Sequence, residues 1–150
     1  GVYDVNNEGS GDMYYKGGNM LHTIRQIVND DEKWRSVIRG LGEQFYHQTV
    51  TTEQVESYIS KQAGIDLSKV FDQYLRTIKI PKFEYKIDGG KLSYQWTNVV
   101  PGFAMPVRVS VNGKEVVLTP SETLQTKTFA DDIKTVEVDR NYYVTSEIVK

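Results

Sequence analysis

The sequence predicts an α+β protein: a helical part followed by a small antiparallel β-sandwich. Three observations carry this. From Met13 to about Thr77 apolar residues recur at three and four positions, the period of one helix face. Beyond Ile80-Pro81 they alternate, the period of a half-buried strand. Two turn signals, Gly89-Gly90 and Asn112-Gly113, then fall between alternating runs. The change of period sets the expected division into two sub-domains, residues 1–79 helical and residues 80–150 β.

The opening stretch Gly1–Gly11 is polar and glycine-rich, which predicts a loop or a poorly ordered start. The first helix follows, with Met20, Leu21, Ile24, Ile27 and Val28 on its apolar face. Asn29 three residues before Glu32 resembles a capping box and predicts the start of a second helix. Its face reads Trp34, Val37, Ile38, Leu41 and Phe45. Gly40 and Gly42 should weaken it by about 1 kcal/mol each relative to alanine. Thr51 and Gln54 form a capping box for a third helix through Val55, Tyr58 and Ile59, which Gly64 is placed to stop. Asp66 can cap a fourth, holding Leu67, Val70, Phe71, Tyr74, Leu75 and Ile78. It should end at Ile80, because the residue before a proline is pushed out of helical geometry. Short connections between these helices predict a compact antiparallel α assembly.

Strands come next. Phe83, Tyr85 and Ile87 lead through Gly89-Gly90 to Leu92, Tyr94 and Trp96, a hairpin pattern. Val107, Val109 and Val111 lead through Asn112-Gly113 to Val116, Val117 and Leu118; Asn-Gly favours the positive φ angles of a tight two-residue turn. Leu124–Phe129, Thr135–Val138 and Tyr142–Ile148 are further candidates, for a sandwich of about seven strands.

Composition bounds the function. Ten Tyr, five Phe and two Trp in 150 residues exclude a disordered chain. A formal charge of −2 argues against nucleic acid as a partner, since phosphate binding needs a basic surface. No cysteine is present, so disulfides and thiolate metal sites are excluded. No apolar run approaches the roughly 18 residues of a membrane span. The chain starts at Gly1 rather than Met and reads as an excised fragment, so the compartment stays unknown.

The residues that carry chemistry lie at the start of the first helix. Met13-Tyr14-Tyr15-Lys16-Gly17-Gly18 contains Tyr-x-Lys-Gly, which resembles the segment around the transition-state tyrosine of the gluzincin zinc metallo-aminopeptidases, the aminopeptidase N family. Val70-Phe71-Asp72-Gln73-Tyr74-Leu75 is similar to the Phe-x-x-Trp-Leu-type segment that closes that family's catalytic domain, with Tyr74 where the family often has Trp. Phe103-Ala104-Met105-Pro106-Val107 resembles an element of the bacterial members. The resemblance runs from about Asp12 to Val144 and makes Tyr14 the counterpart of the family's tyrosine. It implies the C-terminal region of an enzyme that hydrolyses N-terminal residues from peptides. Its helical part would complete a thermolysin-like catalytic domain.

In such an enzyme water adds to the peptide carbonyl and negative charge gathers on the former carbonyl oxygen. Zinc meets that charge on one side as a Lewis acid. A phenol, protonated at pH 7, donates a hydrogen bond from the other. This chain has no His-Glu-x-x-His. The resemblance therefore implies that the zinc ligands, the general-base Glu and the groups that bind the substrate's amino terminus lie upstream of Gly1. The fragment alone is expected to bind no zinc and to be inactive. Its partners would be the upstream catalytic domain and, in the intact enzyme, the peptide substrate. Its helical part should expose apolar surface that this domain would cover.

The remaining candidates read structurally. Lys16-Gly17-Gly18 lacks the spacing of a phosphate loop. The glycines should let the backbone approach a neighbouring helix, and Lys16 reads as a solvated charge in preference to an orienting group. His22 and His47 are 25 positions apart with no metal-ligand spacing, so packing or capping accounts for them. Asp30-Asp31-Glu32 suits a helix start, and Asp131-Asp132 a turn. The rival class is a non-catalytic binding module that presents Tyr85, Tyr94, Trp96 and Phe103, or a pseudopeptidase; these aromatics are expected to alternate into the core instead.

Overall fold

The computed structural model describes residues 11–149, with the backbone alone at Asp12 and Met13. All but the last residue of the opening stretch Gly1–Gly11 lies outside the described residues. The class is α+β. Helices α1 (Asp12–Val28), α2 (Asp31–Gln44), α3 (Thr52–Ala63) and α4 (Ser68–Arg76) precede strands β1 (Lys82–Asp88), β2 (Lys91–Thr97), β3 (Val107–Val111), β4 (Lys114–Leu118), β5 (Gln125–Thr128), β6 (Val136–Val138) and β7 (Thr145–Ile148).

Local chemistry explains most helix ends. Thr51 accepts from the Gln54 N–H while the Gln54 side chain accepts from the Thr51 N–H, a complete capping box. Gly64 ends α3 in the left-handed region at φ 70°. Asn29 does not cap α2. It ends α1 at φ 51°, and Asp30 caps α2 by accepting from the Lys33 N–H at 2.9 Å. Two adjacent residues that can both cap were available, and the short αL link between helices uses one for each end. Asp66 stands one position further out than expected: it accepts from the Ser68 N–H at 2.9 Å, while Leu67 is the N-cap.

The fourth helix stops at Arg76, short of Ile80-Pro81. The Thr77 hydroxyl donates to the Gln73 carbonyl at 2.7 Å and accepts from the Lys79 N–H at 3.1 Å, which turns the chain before the proline can act. Ile78, expected on the buried face, is 95% exposed as a result.

The strands form two sheets, ordered β5-β2-β1-β7 and β4-β3-β6. In the first, Phe83 pairs with Trp96, Tyr85 with Tyr94 and Ile87 with Leu92, so one face is apolar along its length. In the second, Val107 faces Leu118 and Val109 faces Val116, across a turn whose Asn112 and Gly113 both have positive φ. One pairing departs from the antiparallel expectation: β7 runs parallel to β1. A chain returning from the second sheet reaches the free edge of β1 beside Pro81, where Thr145 N–H donates to the Pro81 carbonyl at 2.9 Å. Alternation along a strand is blind to the direction of its partner.

Helices and sheets feed one apolar cluster, from Met20, Ile24 and Phe71 to Phe83, Trp96, Phe103 and Val109. Gln73 seals the passage from α4 to β1. It is fully buried and its amide is used on both sides: Nε2 donates to the carbonyls of Lys79 and Asn98, and Oε1 accepts from the Val100 N–H at 2.8 Å.

Candidate functional site

Tyr14 stands in the first turn of α1, where its N–H donates to the Gly11 carbonyl at 3.2 Å. Its side chain is 75% exposed and that of Tyr15 is 78% exposed. An oxyanion donor is strong only where water is excluded. The described residues therefore supply a phenol on a helix but not the closed cleft in which it would act.

Lys16 is not a free surface charge. Its ammonium donates to the main-chain carbonyl of Thr77, which ties the first turn of α1 to the end of α4. The expectation of a solvated charge is not met, since the ammonium has a main-chain partner. A Cβ on Gly17 or Gly18 would meet nothing within 4 Å, so these glycines do not serve a close backbone approach to a neighbour among the described residues. Close approach occurs at Gly40 instead, where an added Cβ would lie 2.0 Å from the Tyr58 hydroxyl.

The histidines are apart from one another. His22 lies 3.1 Å from Asn141 Oδ1 through Nε2, and His47 occupies the left-handed region just past α2, packed edge-on against Tyr46. Asp31 pairs with Arg25, whose guanidinium holds its carboxyl below the usual carboxylate range. Asp132 takes part in a turn, its main-chain carbonyl accepting from Asn112 Nδ2 at 2.8 Å. No three His, Asp or Glu side chains among the described residues come together to hold a metal ion. The described residues do not fit a zinc site, which needs three or four ligands.

The aromatics that a binding module would present are inside. Trp96 is 1% exposed, with Nε1 donating to the Met105 carbonyl at 3.0 Å, and Phe103 is fully buried against it. Tyr94 is buried and Tyr85 half-buried.

The chain is similar to a leucyl aminopeptidase from Saccharolobus solfataricus, 23% identical over 153 aligned positions, which cover 91% of this chain and 19% of that protein. Its structure matches that of Legionella pneumophila aminopeptidase A in complex with aspartic acid, with a TM-score of 0.70 and 15% identity over 89% of this chain. The likeness is to aminopeptidases, at the level of the fold. This chain spans 19% of the length of the curated relative and 17% of the solved one. No protein-family model matches it.

What sequence reasoning missed is the set of groups that hold α1 in place. The Tyr143 N–H donates to the Thr23 hydroxyl oxygen at 2.9 Å, the Tyr142 hydroxyl reaches the Gln26 carbonyl at 3.4 Å, and Arg108 Nη2 donates to Asn29 Oδ1 at 2.7 Å. A polar Thr23 amid Met20, Ile24 and Ile27 was the one signal available.

Proposed function

We propose that this chain is the C-terminal region of a zinc-dependent aminopeptidase of the gluzincin, aminopeptidase N type, which removes N-terminal residues from peptides. Residues 1–79 would be the end of its catalytic domain and residues 80–150 a β-sandwich domain that follows. Tyr14 is the group this chain contributes to the reaction. Its phenol donates a hydrogen bond to the oxygen on which negative charge gathers when water adds to the peptide carbonyl.

The observation that carries the reading is Tyr14 itself: an exposed tyrosine in the first turn of a helix, in the Tyr-x-Lys-Gly setting, on a chain whose fold matches part of an aminopeptidase. Zinc and its ligands would belong to the rest of the longer protein, as would the general base. The exposed Tyr14, Tyr15 and Ile78 are the surface this remainder would cover. The fragment alone is inactive. The burial of Trp96, Tyr94 and Phe103 disfavours the rival binding module, which would need them at the surface.

The test is Tyr14→Phe in the full-length protein. Loss of one oxyanion donor lowers kcat by about 10²–10³, or roughly 3–4 kcal/mol, with metal content unchanged. Unimpaired turnover would remove Tyr14 from the mechanism. Adding zinc and a leucyl fluorogenic substrate to the isolated chain should give no turnover; chelator-sensitive cleavage there would overturn the view that the fragment is incomplete.

A further inference from the structure

We infer that Lys16 is a positioning residue for Tyr14: by bonding the Thr77 carbonyl, its ammonium locks the first turn of α1 so that the phenol is presented outward in one orientation. The inference rests on the proposed role of Tyr14.

Four observations support it. First, residues two apart on an α-helix lie about 200° apart around its axis. A tether at Lys16 therefore grips the inner side of the turn and turns Tyr14 to the outer side, where it is 75% exposed. Second, the N-cap of α1 is Gly11, with no side-chain cap, whereas α2 and α3 are capped by Asp30 and Thr51. The opening turn of a helix has N–H groups without intrahelical partners and frays when no cap holds it. Third, a cation near a helix N-terminus opposes the helix dipole, whereas one that reaches a carbonyl at another helix's C-terminus is favoured. Lys16 sits near the first end and bonds at the second.

Fourth, the anchor is rigid. Thr77 follows α4 directly and its hydroxyl is bonded to Gln73 and Lys79. Gln73 in turn is fixed by Lys79, Asn98 and Val100. A continuous set of hydrogen bonds thus runs from the loop after β2, through Gln73 and Thr77, to the turn that carries Tyr14. This gives the Tyr-x-Lys spacing a physical reason within this chain.

The experiment is a double-mutant cycle in the full-length protein. Lys16→Met keeps the apolar stem and removes the donor; Lys16→Arg keeps a donor. The expected result is a loss of about 10–100-fold in kcat for Lys16→Met, the cost of misplacing a reacting group by about an ångström. KM, melting temperature and metal content should hold, and Lys16→Arg should recover most of the activity. In a Tyr14→Phe background Lys16→Met should cost nothing further, because there is no hydroxyl left to position. An equal loss in both backgrounds would show a general structural role and overturn the proposal, as would an unchanged kcat. If Lys16→Met does not fold, Lys16→Leu, which also lacks a donor, takes its place in the same cycle. Should Tyr14→Phe itself leave kcat untouched, the reading beneath fails first, which separates the two failures.

Discussion

The main-chain N–H of Tyr143 donates to the hydroxyl oxygen of Thr23 at 2.9 Å, across 120 positions of sequence. Thr23 is fully buried on α1, and its hydroxyl donates to the Asn19 carbonyl one turn back, which leaves its oxygen free to accept from outside the helix. The Tyr74 hydroxyl donates to the carbonyl of the same Tyr143 at 2.7 Å. Both polar groups of one peptide segment are thereby used to bind the chain's last turn before β7 to two helices.

Thr23→Val should destabilise this chain by about 1–2 kcal/mol, since the shape is kept but the part-buried Tyr143 N–H loses its acceptor. Thr23→Ser should recover most of it. Urea denaturation checks both. A Thr23→Val variant as stable as the parent would show that the Tyr143 N–H finds another partner.

The contact between Gly40 and Tyr58 predicts a reversal of sign. Alanine at Gly40 places a methyl group 2.0 Å from the Tyr58 oxygen but 3.4 Å from Cζ. Gly40→Ala should therefore cost about 1–2 kcal/mol through overpacking. In a Tyr58→Phe background the same change should become neutral or stabilising, by up to about 1 kcal/mol, because helix propensity is then unopposed. Denaturation midpoints for the four proteins decide it. Equal effects in both backgrounds would mean that the hydroxyl is not what Gly40 makes room for.

Alkaline instability should arise at Tyr74. Burial pushes its phenol well above the usual range, and burial pushes Tyr142 in the same direction. The unfolded phenols ionise from roughly pH 10, while the folded ones stay protonated. The unfolded state then binds fewer protons, so stability is fully present below about pH 10 and falls as pH rises beyond it. Tyr74→Phe should lower stability at pH 7, by about 1 kcal/mol for the lost hydrogen bond, and make the alkaline decline shallower. Urea midpoints between pH 7 and 11 give both readings. An unaltered alkaline slope in Tyr74→Phe would exclude Tyr74 as its source.

Much of the fold and little of the site was legible in the sequence. Thr51 and Gln54 announce α3, Gly64 its end, and Asn112-Gly113 the β3–β4 hairpin, because each signal acts within a few residues of itself. Tyr14 is singled out only by the motif around it; nothing in its burial distinguishes it from Tyr15. Lys16 read as a solvated charge because its partner, the Thr77 carbonyl, lies 61 positions away.

By itself the sequence determined the order of helices and strands, the α+β class, two of the caps and both hairpin turns. These follow from the period of apolar residues and from backbone preferences that operate locally. Only the tertiary structure decided that β7 joins β1 in parallel, that Gln73 holds the passage between helices and sheets, and that Lys16 grips Thr77. Each of these depends on a hydrogen-bonding group meeting its partner in space, and a pattern of burial along the chain carries no record of which distant group that will be.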